Sequence, residues 1–130
     1  MLTPDDFEVN EAWIAVRVND SYMLVQGEPY DIYVLMDAAS TFVFGHALSK
    51  AEDGAPPGRD VEALFKTAWK AKRQWPETLI VPEGDPAESV FRVQAGKNGL
   101  VFETVPLSQL APIVGPLKES FVSSFARPSE

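Results

Sequence analysis

The chain has 130 residues, with 19 acidic and 11 basic side chains and no cysteine. That length suits one domain, and 45% apolar residues with eight Phe, three Trp and three Tyr furnish a core, which excludes disorder. The missing cysteines exclude a disulfide scaffold, thiolate metal sites and thiol catalysis, and a single histidine, His46, excludes multi-histidine centres. A net charge of −8 argues against general binding to phosphate backbones. The charge is uneven: residues 1–31 hold seven acids against Arg17 alone. This stretch reads as a solvated segment that aids solubility. The acidic opening lacks the basic and apolar regions of a secretory signal, and the apolar runs are strand-sized, so a cytoplasmic location is expected.

Ala12–Val18 alternates apolar residues on both sides and predicts a strand. Asn19-Asp20-Ser21 supplies a turn, and Tyr22–Gln26 is expected to return as its hairpin partner. Gly27-Glu28-Pro29 breaks the pattern, and Tyr30–Met36 is apolar nearly throughout, as in a strand covered on both faces. Asp37–Ser40 forms its exit, and Thr41–Ser49 reads as an antiparallel partner. Residues 50–59 are a Gly- and Pro-containing loop.

A helix is then expected from Asp60 as N-cap, with Val61, Leu64, Phe65, Ala68 and Trp69 on one stripe and Pro76 as its stop. Thr78–Val81 is a short buried strand. Asp85-Pro86-Ala87-Glu88 has the form of a capped helix start, and that helix should end near Gly96 and Gly99. Leu100–Val105 gives the last strand. The final stretch is helical from Pro106, with Pro112 and Gly115-Pro116 expected to kink or restart it. Leu117, Phe121 and Phe125 form its apolar face. The expected class is α/β: a mixed sheet with antiparallel N-terminal strands, followed by α-β-α-β-α with parallel pairing. One domain covers 1–130, with residues 1–29 as an acidic N-terminal strand or hairpin segment and 30–125 as the core.

That order resembles the ribonuclease H-like fold and especially the integrase catalytic core. The matching pieces are Tyr33-Val-Leu-Met-Asp37-Ala-Ala-Ser40, Pro76-Glu-Thr-Leu-Ile-Val-Pro-Glu83-Gly84 and Gly115-Pro-Leu-Lys-Glu119-Ser. In that family one Asp leaves the central strand, a second acid follows the strand after the first helix, and a Glu sits on a later helix. The resemblance implies that Asp37, Glu83 or Asp85, and Glu119 would hold two divalent ions, Mg or Mn, for phosphodiester chemistry. Glu83 and Glu119 have 35 residues between them, a spacing familiar in that family. Aligned on Gly115 instead, the last position falls to Lys118. The run Ala-Trp-x-Ala-Val, Gly-Glu-Pro and Val-Leu-x-Asp is also similar to bacterial domains of unknown function, which implies no activity.

Each acid has a plain role as well: Asp37 as a turn former, Asp85 as a cap, and Glu119 on an exposed helix face. His46 is expected on one strand face with Phe42, Phe44 and Leu48, partly buried with a backbone partner. Lys66, Lys70 and Arg73 make a basic stripe that reads as the solvated side of a helix. Trp69 and Trp75 are expected to pack rather than stack on bases, and Gly96-Lys-Asn-Gly99 is a turn, not a phosphate loop. The expected function is a non-catalytic domain working through protein contact, as a homodimer or with another protein, without membrane or nucleic acid. Metal-dependent phosphodiester chemistry is the alternative. A further alternative is small-ligand binding in a cleft at the strand C-termini.

Overall fold

The computed structural model describes residues 1–125, with side chains as far as Phe121. Its strands are β1 (Ala12–Arg17), β2 (Met23–Val25), β3 (Glu28–Asp37), β4 (Val43–Lys50), β5 (Thr78–Pro82) and β6 (Val101–Val105). The helices are α1 (Gly58–Lys72), α2 (Glu88–Lys97) and α3 (Ala111–Phe125). All six strands join one sheet running β4-β3-β1-β5-β6, with β2 in line with β1 along the same edge of β3. β3 pairs antiparallel with β1, β2 and β4, whereas β1, β5 and β6 are parallel. The α/β class and the mixed sheet are as the sequence led one to expect. No described helix is long and apolar enough to cross a membrane.

Two expectations about the front of the chain need correction. β1, assigned to an appended N-terminal segment, lies in the middle of the sheet: Trp13 faces Asp37 on one side and Leu79 on the other. Residues 22–26 do not return on β1 but pair with β3, through a tight turn at Gln26 and Gly27, both with positive φ (54° and 83°). Such a two-residue turn makes Val25–Glu28 the hydrogen-bonded pair. Leu24–Pro29 is then a non-bonded pair, so the missing Pro29 N–H costs no rung toward β2 and the proline stays inside the strand.

Strand alternation sorts the core into two layers. Trp13, Ala15, Tyr33, Leu35, Leu79 and Val81 face α1 and α2, meeting Leu64, Phe65 and Phe91. Ile14, Val16, Ile32, Val34, Met36 and Ile80 face α3, meeting Leu110, Ile113 and Val114. The helix stripe Val61, Leu64, Phe65 and Ala68 is buried as its spacing requires. That helix begins at Gly58 after Pro57, two residues before Asp60, which makes no capping bond and lies in the first turn, where a carboxylate suits the helix dipole. It ends at Arg73 in the left-handed region (φ 58°), before Pro76 is reached. Asp85, expected to cap α2, closes the turn before it instead: its Oδ1 accepts the Ala87 N–H at 2.7 Å. α2 starts only at Glu88, with Ala87 in the cap position and Glu88 Oε2 accepting the Gly84 N–H at 3.3 Å.

The expected break at Gly115-Pro116 does not occur. α3 passes through Pro116 because Leu110, Ile113, Val114, Leu117 and Phe121 keep one apolar stripe across it. Phe125, expected on that face, lies outside the described side chains.

Candidate functional site

Because β1, β5 and β6 run parallel, their C-terminal ends gather at one end of the sheet, and β3 enters there and leaves at the other. This register separates the acids suggested by sequence. Asp37 is level with Trp13 and Leu79, at the end where the parallel strands begin. Glu83 follows β5 at the opposite end, four residues beyond Leu79, roughly 13 Å along the strand direction and two strands over.

Asp37 is fully buried and its carboxylate is taken up by neutral donors. Oδ1 accepts the Asn10 N–H at 2.7 Å, and Oδ2 accepts both the Ser40 N–H and the Ser40 hydroxyl at 2.8 Å. Asn10, in the left-handed region (φ 64°), accepts the Trp13 indole N–H on its own Oδ1 at 2.8 Å and donates to the Gln74 carbonyl at 3.2 Å. Asp37 therefore closes the β3–β4 turn and anchors the segment that enters β1. That is the plain role its sequence context allowed.

At the other end each engaged acid has a partner from the chain itself. Asp31 is buried, lies 3.6 Å from the Arg17 guanidinium and accepts from Asn19 Nδ2 at 3.1 Å. Asn19 Oδ1 accepts the Ile32 N–H at 2.8 Å, binding the exit of β1 to β3. Asp20 pairs with Lys118 of α3 at 2.8 Å, and that hydrogen bond and charge hold its carboxyl below the usual range. Asp85 Oδ1 accepts the Tyr33 hydroxyl at 2.7 Å. Burial, and then this carboxylate, push the Tyr33 phenol well above its ordinary value of 10.0. Glu83 is exposed after β5, and Glu119 is exposed on α3.

Asp37, Glu83, Asp85 and Glu119 are thus not brought together. No three His, Cys, Asp or Glu among the described residues group as a metal-ligand set. A two-metal centre holding Mg or Mn requires several free carboxylate oxygens converging. Here Asp85 is engaged by a phenol and a backbone amide, Asp37 stands at the far end, and Lys118 places a cation beside Asp20. The residues present do not fit that group.

A concavity lies on the sheet face instead. Over β2, β3 and β4 a groove of about 500 Å³ is lined by Met23, Val34, Val43, Leu48, Leu117 and Phe121, among others. His46 also lines it and is exposed rather than partly buried. A bulge opposite Leu35 and Met36 turns Phe44 to the other face, where it meets Trp13 at 4.9 Å, so His46 shares its side with Leu48 and not with Phe44. On α1, Lys66 pairs with Glu62 at 3.5 Å, and the Arg73 guanidinium lies 5.1 Å from the centre of the Trp69 ring. Trp75 packs on Trp13 at 5.8 Å. Gly99, with φ 74°, makes the turn into β6.

No family model matches the chain, and no curated protein does. Among solved structures it resembles a simian T-cell lymphotropic virus intasome in complex with PP2A regulatory subunit B56 gamma, with a TM-score of 0.51 and 18% identity. The fold is ribonuclease H-like. The match covers 98% of this chain and 45% of that one, so the ribonuclease H-like domain spans under half of its neighbour's length. The HTLV-2 integrase catalytic core domain, in complex with magnesium (dimeric form), is similar over 93% of this chain and 78% of its own, at 12% identity and a TM-score of 0.48. Sequence reasoning took β3 for the central strand of this fold, whereas β1 holds that place. The strand Ala12–Arg17 contains no acid, and Asp20 is the first acid to follow it. The pairings of Arg17 and Asn19 with Asp31, of Tyr33 with Asp85 and of Lys118 with Asp20 were not legible, because they span 12 to 98 positions in sequence.

Proposed function

We propose that this ribonuclease H-like domain is a non-catalytic protein-contact module, binding either a second copy or another protein. The observation that carries the reading is the groove over β2–β4, an apolar concavity of about 500 Å³ beside the half of the sheet farthest from β5 and β6. Apolar surface gathered in one concave patch is the usual mark of a contact site. The acids at the strand ends support the non-catalytic part, since Asp20, Asp31 and Asp85 are engaged by Lys118, Arg17 and Tyr33. The groove lies on a sheet face rather than at the strand C-termini, which favours a protein over the small ligand expected there.

The test is a cleavage assay on labelled duplex DNA with Mg²⁺ or Mn²⁺, run beside light scattering over a concentration series. No metal-dependent cleavage is expected from the native chain. Cleavage that disappears in Glu83→Gln or Asp85→Asn would overturn the reading in favour of phosphodiester chemistry. A dimer that dissociates in Leu48→Arg identifies a second copy as the partner, and a monomer throughout leaves a different protein.

A further inference from the structure

β4 pairs with β3 from Tyr30–Lys50 to Met36–Val43, and among the described residues no strand lies along its other edge. Edge strands are normally blunted by charge, proline or a bulge. β4 has a bulge near its start and Lys50 at its end, while Gly45-His46-Ala47-Leu48 between them carries neither charge nor proline.

This unguarded stretch is flanked by a hollow on each side of the sheet. Gly45, His46 and Leu48 line the apolar groove toward α3. The same residues with Ala47 line a second cleft of about 450 Å³ toward α1, completed by Asp60, Ala63, Leu64 and Thr67. A strand laid against this edge sends successive side chains to opposite faces. Alternate residues would then enter the two hollows while its backbone meets β4, which is recognition by strand addition.

The linings state what those side chains should be. The α3-side hollow asks for aliphatic groups against Val43, Leu48 and Leu117. Asp60 is the charged residue lining the α1-side cleft, with 49% of its side chain exposed and the exposed Arg59 beside it at 3.9 Å, a loose surface pair, so that side asks for a cation. We propose that the Gly45–Leu48 edge of β4 binds an extended peptide segment alternating aliphatic and basic residues, aliphatic toward α3 and basic toward Asp60. The proposal rests on the protein-contact reading and adds the partner's chemistry and conformation.

The probe is a short peptide alternating lysine and valine, titrated into the full chain while backbone amide shifts are followed by NMR. Saturable binding that moves the amides of residues 45–48 is expected. A peptide of the same composition with the valines in one block should bind about tenfold more weakly, as should one alternating glutamate and valine. Methylating every second peptide nitrogen gives two isomers, and only the isomer methylated on the edge facing β4 should lose binding. Asp60→Asn should weaken the lysine peptide without unfolding the chain, since Asp60 is a surface residue.

Equal binding of the blocked peptide, or of both methylated isomers, would overturn strand addition and leave only charge attraction. Shifts confined to the α3 wall would do the same while preserving the protein-contact reading. Concentration-dependent shifts at 45–48 without peptide would replace the peptide by a second copy. Metal-dependent DNA cleavage is the separate result that removes the underlying reading.

Discussion

On the α1–α2 face, Trp13 meets Phe44 at 4.9 Å and Phe65 at 6.2 Å, Phe65 meets Phe91 at 6.3 Å, and Phe91 meets Tyr33 at 5.9 Å. On the α3 face the buried side chains are aliphatic or Met, and α3 with the short turn before it is the helical cover. The first face is a continuous aromatic lattice held by two helices. The second is packed along β1 and β5 and open along β2–β4. Large rings in mutual contact contribute more per residue than aliphatic chains at a half-covered edge. Stability is thereby concentrated on one face, and the other keeps an open groove.

The largest effect that would break this contrast is Trp13→Ala. It should cost about 3–5 kcal/mol in urea unfolding, against about 1 kcal/mol for Leu48→Ala on the open side. Similar losses at the two positions would show that the faces are not unequal. Asp37→Ala comes next, at roughly 2–4 kcal/mol, because three donors lose their acceptor and Asn10 no longer presents its side chain to the Trp13 indole. An Asp37 variant as stable as the native chain would detach the aromatic face from its anchor.

Tyr33→Phe should cost about 1 kcal/mol near neutral pH and also change the alkaline limb. The Tyr33 phenol is raised in the folded chain, so its contribution is complete below the ordinary value of 10.0 and declines as pH rises beyond it. Native unfolding midpoints should fall in that range, and the Phe variant should fall less. The smallest effect is expected at Lys118→Met. The Asp20 carboxyl is lowered by Lys118, so the pair stabilises above the ordinary carboxylate value of 3.8, and this is lost as pH falls through the lowered one. Midpoints for the Met variant should therefore match the native chain at strongly acid pH and lie slightly below it near neutrality.

Most of the fold was legible because it rests on local pattern. The stripe from Val61 to Ala68 announced α1, and Asp85-Pro86-Ala87-Glu88 announced a helix start, although α2 begins only at Glu88 and without Asp85 as its cap. The place of β1 was not legible. Its apolar run says only that both faces are buried, and its neighbours are set by partners at positions 33–37 and 78–80. That single ambiguity made Asp37 a candidate, although it lies at the end of the sheet opposite Glu83 and Asp85. The continuity of α3 escaped for a related reason, since Pro116 is a local signal and the stripe that overrides it is a tertiary one. His46 was misplaced by one bulged residue, which no alternation rule foresees.

The central position of β1 also orders the steps by which the chain acquires its structure. β2, β3 and β4 form a meander from neighbouring segments, whereas the far side of β1 stays unpaired until residues 78–80 join it. During synthesis, Trp13 and Ile14 must remain beside an unfilled edge while the whole of α1 is being made. Parallel pairing at such separation is slow and leaves apolar strands open to wrong partners. The acids clustered before residue 32 lie around that waiting strand. Their like charge disfavours wrong pairing of that strand while it waits.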